Sequence, residues 1–209
     1  VNIITGDGTT GSLIVNHKDI NKIAFTGSTQ VGKLIQKSLA GRDVGLTLEL
    51  GGKAANIVYE DAAIDQAVEG VVNGIFFNQG HVCCAGSRLL LQESIHDEFI
   101  TKLEKRMQTL RVGNPLDKNT DIGAVNSKEQ LNKIEELVNE GVSDGGKIFQ
   151  TECELPGNGF WFKPTLFTDV QPSYSIAREE IFGPVLTTLT FRTPQEAIEI
   201  ANNTEYGLS

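Results

Sequence analysis

The chain has 209 residues, 39% of them hydrophobic and 22% charged, with a formal net charge of -9 at pH 7. That composition suits an α/β protein able to bury a sizeable core as one domain or as pieces of two. The acidic charge is spread along the chain without the basic run that a nucleic-acid partner requires, and no stretch approaches the roughly 20 consecutive apolar residues of a membrane span.

Apolar runs bounded by glycine alternate with longer amphipathic stretches, which predicts βα units and a mainly parallel sheet flanked by helices. In chain order the pattern predicts a strand at residues 1–4, a short helix over 10–16, a strand at 22–25, a helix over 30–39 and a strand at 45–50. Beyond the glycine pair Gly51-Gly52 it predicts a strand at 55–58, a helix over 64–76, a loop at 78–86, a strand at 88–92 and a helix over 96–110. The stretch from Gly113 to Gly159 is turn-rich, with one helix expected over 128–140. Strands follow near 160–167 and at 185–191, and a last helix over 194–202 opens with Thr193 as its cap and Pro194 at its first position. The only evident boundary is Gly51-Gly52, dividing residues 1–51 from 52–209. The opening VNIITGDG lacks the order of a signal peptide; a cytoplasmic location is expected, with an organellar one as the alternative. Val1 enters a strand-like run directly and Ser209 stops inside a turn, as expected of a piece of a longer chain.

Three segments carry chemistry. Gly27 to Lys33 follows a strand, opens a helix and fits G-x-x-x-x-G-K, but Leu34 stands where a P-loop carries the Ser or Thr that ligates magnesium. A nucleotide hydrolase is therefore disfavoured, whereas backbone N–H groups at a helix N-terminus still suit a diphosphate. In LELGGK, Glu49 ends an apolar strand; burial there would raise its pKa and make it a usable base, and an ion pair with Lys53 is the plain structural alternative. The stretch FFNQGHVCCAGSR places Cys83 and Cys84 in a loop of small residues, where His81 or Arg88 is available to favour a thiolate. Cys153, in a polar stretch, reads as incidental, and the three cysteines and three histidines show no zinc-ligand spacing, so no metal is expected.

FTGSTQVG, LELGGK, FFNQGHVCCAGSR and EEIFGPV, in this order, resemble the aldehyde dehydrogenase superfamily over nearly the whole chain. Glu49 stands 34 positions before Cys83, and Glu180 stands 97 after it, intervals similar to those between that family's base, nucleophile and ribose-binding glutamate. The resemblance implies a Rossmann-like cofactor-domain remnant in residues 1–51 and an α/β catalytic domain in 52–209, with NAD or NADP as cofactor and an aldehyde as small-molecule substrate. It implies Cys83 as nucleophile and Glu49 as general base. Gly27, Ser28, Val31 and Gly32 would line the cofactor pyrophosphate, Leu50 and Gly51 would lie near the nicotinamide, and Glu180 would hold the nicotinamide ribose with Phe182 beside it. A homodimeric or homotetrameric whole protein is implied as well. One departure is visible: His81 stands where the family pattern usually carries glutamine, so the ring either alters thiol basicity or fills the same space. The alternative is a non-catalytic relative that keeps the fold for binding or structure.

Overall fold

A computed structural model describes all 209 residues. The chain forms two compact units, Val1–Gly51 and Gly52–Ser209.

The first unit holds helix α1 (Gly8–Asn16), strand β1 (Lys22–Thr26), helix α2 (Thr29–Leu39) and strand β2 (Gly45–Glu49). The two strands pair in parallel, with Lys22 opposite Gly45 and Thr26 opposite Glu49, so α2 is the crossover of one βαβ unit. Asp7 caps α1 by accepting from Thr9 and Thr10 N–H groups. Val15, Ile35 and Leu39 form the small buried cluster under the strands. Arg42 ties the connection after α2 back to α1 by donating to the Val15 and His17 carbonyls at 2.8 and 2.9 Å. The strand expected at residues 1–4 does not form: Val1, Ile3 and Ile4 are exposed and no strand pairs with them. An apolar run becomes a strand only when a neighbour satisfies its backbone groups, and none in this chain does.

The second unit is a five-stranded sheet wrapped by helices. Its elements are β3 (Ala55–Val58), α3 (Ile64–Phe76), β4 (Arg88–Gln92), α4 (His96–Met107), α5 (Lys128–Ser143), β5 (Lys147–Gln150), β6 (Thr165–Thr168), α6 (Ser175–Arg178), β7 (Val185–Phe191) and α7 (Pro194–Asn202). The spatial order is β3-β4-β7-β6-β5, with every pair parallel except β5 against β6. Strand β4 is buried on both faces, which is why it reads as the unbroken run Leu89-Leu90-Leu91 rather than as an alternation. Leu89 and Leu91 enter the cluster that holds Phe99, Leu103 and Met107 of α4, while Leu90 enters another with Leu189, Phe191 and Ala197. No helix is long and apolar enough to cross a membrane.

Three elements depart from the sequence pattern. Strand β5 falls in the stretch read as turns, because a four-residue, mostly exposed edge strand carries too little periodicity to stand out. The strand expected near 160–167 is confined to Thr165–Thr168. Helix α5 runs on to Ser143 through Gly141, where a β-carbon would lie 2.8 Å from Ile176 Cδ1. There the glycine serves close packing and not helix termination.

Candidate active site

In the first unit, Gly27 and Ser28 turn the chain from β1 into α2. The Ser28 hydroxyl accepts from the Val31 N–H at 3.3 Å and caps the helix, while the Gly27 N–H donates to the Glu49 carbonyl at 3.0 Å. Gly32 is buried, and a β-carbon there would fall 2.5 Å from Leu50 Cδ2, so Leu50 is seated against the first turn of α2. Gly27, Ser28 and Val31 are exposed. This exposed helix start suits the phosphates of a dinucleotide. Leu34, in the position of the missing P-loop hydroxyl, faces solvent on the helix surface.

Glu49 is exposed at the end of β2. The burial expected from its apolar strand does not occur, because side chains alternate along β2 and only Leu46 and Leu48 turn toward cover. Gly51 is half-buried at the end of this unit.

The second unit brings the thiol loop and the Glu180 loop together around Gly52. Helix α3 ends at Phe76, and a single 3-10 turn, Phe77–Gly80, throws the chain into the loop that carries Cys83 and Cys84. Asn78, Gln79 and Gly80 all take positive φ there, the first two by exception for residues with side chains. The Gln79 side chain accepts from the Gly123 N–H at 3.1 Å and anchors the turn. Cys83 is half-buried and Cys84 exposed, and both are free thiols. A β-carbon at Gly52 would lie 2.4 Å from the Cys83 carbonyl oxygen, so the thiol loop crosses this glycine at a distance no other residue permits.

The Gly52 N–H donates to Glu180 Oε1 at 3.1 Å, which leaves Oε2 free to accept from a bound hydroxyl. The Glu180 N–H in turn donates to the Tyr206 hydroxyl at 3.4 Å. Gln130 of α5 donates through Nε2 to the Ile181 and Phe182 carbonyls at 2.8 and 2.9 Å. Tyr206 and Gln130 carry no sequence signal of a site, since their partners lie 26 and 51 or 52 positions away. A half-buried carboxylate held by one oxygen fits a ribose diol.

Arg88 does not serve the thiol. Its guanidinium is buried and donates to the Lys53 carbonyl at 2.8 Å, the Ile200 carbonyl at 2.9 Å and the Ala201 carbonyl at 2.8 Å. It thereby closes the C-terminal end of α7, sharing the Ile200 carbonyl with the Asn203 N–H. Arg88→Met is expected to leave the Lys53 and Ala201 carbonyls without donors, the Ile200 carbonyl keeping the Asn203 N–H, and to lower unfolding stability by about 2–4 kcal/mol, checked by denaturant titration. A loss below about 1 kcal/mol would show that water replaces the guanidinium freely.

Lys53 is 1% exposed and its Nζ has no hydrogen-bond partner. Burial, reinforced by the Arg88 charge and opposed by Glu179 and Glu180, lowers its pKa to about 7. His81 has both ring nitrogens buried without partners, and burial pushes its pKa down toward the neutral ring.

Residues 1–209 match the aldehyde dehydrogenase family along their whole length. Retinal dehydrogenase 2 of Homo sapiens is 49% identical over 214 aligned residues that cover 100% of this chain and 40% of the relative. Among solved structures, an NAD-dependent aldehyde dehydrogenase from Sinorhizobium meliloti aligns at TM-score 0.94 and 40% identity, covering 98% of this chain and 41% of that one. The NAD+ complex of the aldehyde dehydrogenase from Bacillus cereus aligns at TM-score 0.93 and 40% identity, covering 97% and 41%. The chain thus spans about two fifths of the length of the relatives it matches. Its α/β fold, its motif order and these matches agree, and the chain belongs to the aldehyde dehydrogenase family.

Proposed function

We propose that the whole protein oxidises an aldehyde to a carboxylic acid with NAD or NADP, and that Cys83 is its nucleophile. The observation that carries this reading is Gly52: one glycine both touches the Cys83 carbonyl and holds the Glu180 carboxylate, so the thiol loop and a diol-binding acid share one support. Residues 1–51 would supply the end of the cofactor domain and residues 52–209 most of the catalytic domain. Gly27, Ser28, Val31 and Gly32 would hold the pyrophosphate, Leu50 and Gly51 would lie near the nicotinamide, and Glu180 with Phe182 would hold its ribose. When bound, the nicotinamide supplies the acceptor for the hydride that leaves the substrate carbon.

Cys83 as thiolate adds to the aldehyde carbon, forming a C–S bond and a thiohemiacetal oxyanion for which the Cys83 backbone N–H is one candidate donor. Loss of hydride from that carbon leaves a thioester on Sγ. Glu49 removes a proton from water, which attacks the thioester carbon and releases the acid and the Cys83 thiolate. The presence of Glu49 favours hydrolysis over transfer to coenzyme A, because acylating relatives generally lack that glutamate. A homodimer or homotetramer in the cytoplasm is the accompanying reading, and the 209-residue chain alone is proposed to be inactive.

Glu49→Gln in the whole protein should slow steady-state turnover by about 100- to 10,000-fold, the usual range for loss of a general base. The first-turnover burst of reduced cofactor should persist, since thioester formation precedes the water step. Rapid-mixing absorbance separates the two phases, and an unchanged steady-state rate would remove Glu49 from the mechanism.

A further inference from the structure

His81 stands two residues before Cys83, and its ring meets that of Phe182 edge-on, with centroids 5.1 Å apart and planes at 78°. The backbones beneath these rings are in direct contact. Gly80 has φ +74°, and a β-carbon there would lie 2.1 Å from the Gly183 carbonyl oxygen, so only glycine lets the thiol loop settle on the Glu180 loop at this point. The His81 backbone is pinned as well: its N–H donates to the Asn78 carbonyl at 3.0 Å, and Asn78 Nδ2 donates to the His81 carbonyl at 3.1 Å.

Phe182 itself has φ +55°, a conformation that a bulky side chain holds only when its surroundings enforce it. Gln130 restrains the backbone on either side of its amide through the Ile181 and Phe182 carbonyls. The aromatic contact to the Phe182 ring comes from His81. Both imidazole nitrogens are sealed from water and bond to nothing, so the ring works here as an apolar wedge and not as a hydrogen-bonding group or a cation beside the thiol.

We infer that His81 is a positioning residue whose ring edge fixes Phe182, and through it Glu180, relative to the Cys83 loop, thereby setting how tightly the nicotinamide ribose is held. This inference rests on the proposed cofactor role of Glu180 and Phe182. It also resolves the departure at position 81 in favour of packing over thiol activation.

The experiment is steady-state kinetics of the whole protein with NAD varied at saturating aldehyde, comparing H81Q, H81F and E180Q. Glutamine keeps the size but loses the aromatic edge, and it is the residue the family pattern usually carries, so H81Q should fold. H81Q should raise the cofactor KM about twofold to tenfold, the worth of one aromatic contact, while kcat changes by less than about twofold. H81F, which restores a ring, should bring KM back toward the wild-type value. An unchanged KM in H81Q, or H81F impaired as much as H81Q, would overturn the inference. E180Q separates the two possible failures. If E180Q alters neither cofactor KM nor kcat, the ribose reading falls and this inference with it; if E180Q is impaired and H81Q is not, the inference alone falls.

Discussion

Cys83→Ala in the whole protein is expected to lower NAD(P)-dependent aldehyde oxidation by a factor on the order of 10^4 or more, because it removes the sulfur that forms the proposed covalent intermediate. Cys84 is the nearest thiol and is the more exposed of the pair. Cys84→Ala should therefore retain activity within about threefold while losing one alkylatable thiol per chain. The pair of variants distinguishes the two sulfurs, which sequence adjacency alone leaves ambiguous. Alkylation followed by peptide mass analysis should show NAD-dependent protection at Cys83 and none at Cys84. Wild-type turnover in Cys83→Ala would end the nucleophile assignment, whatever the fold.

Lys53→Met should stabilise the protein at and below neutral pH and erase a pH dependence that the wild type shows. The lysine amine is fully buried and its pKa falls from 10.5 to about 7, so between those values the unfolded chain binds a proton that the folded chain does not. Stability therefore rises with pH across the window from about 7 to 10.5, and below about 7 both states carry the proton and the full penalty remains. The shift corresponds to about 5 kcal/mol of destabilisation on the acid side of the window. Methionine fills comparable space without a charge to desolvate, and replacing buried charge by an apolar side chain is often stabilising. Denaturant midpoints of both proteins at pH 6.5 and pH 10 measure the effect. The gain should be largest at pH 6.5 and nearly gone at pH 10. Equal slopes for the two proteins would mean that Lys53 keeps an ordinary pKa.

Much of the fold was legible because its periodicity is long or its boundaries are chemically marked. Helix α3, strand β3 and strand β4 fall where apolar spacing puts them, and α7 opens at Pro194 after Thr193 because that pair is a helix start by itself. The site was legible in part for a different reason: Gly27, Glu49, Cys83 and Glu180 lie in four short motifs whose order resembles a family. The partners that hold those motifs carried no such mark. Gln130, Tyr206 and the Arg88 carbonyl contacts join positions dozens of residues apart, and polar residues in ordinary helices and turns do not announce their partners.

The amino-acid sequence by itself determined the βα alternation, the placement of a thiol in a glycine-flanked loop and the absence of a P-loop hydroxyl at Leu34, since each depends on residue type and local spacing. Tertiary structure alone decided that residues 1–4 form no strand, that Glu49 is exposed, and that Arg88 serves backbone carbonyls. It also decided that Lys53 is buried without a partner and that His81 packs on Phe182. Those outcomes depend on which distant atoms share a space, and the energies of burial and hydrogen bonding that follow are set by that meeting and not by the residue in isolation.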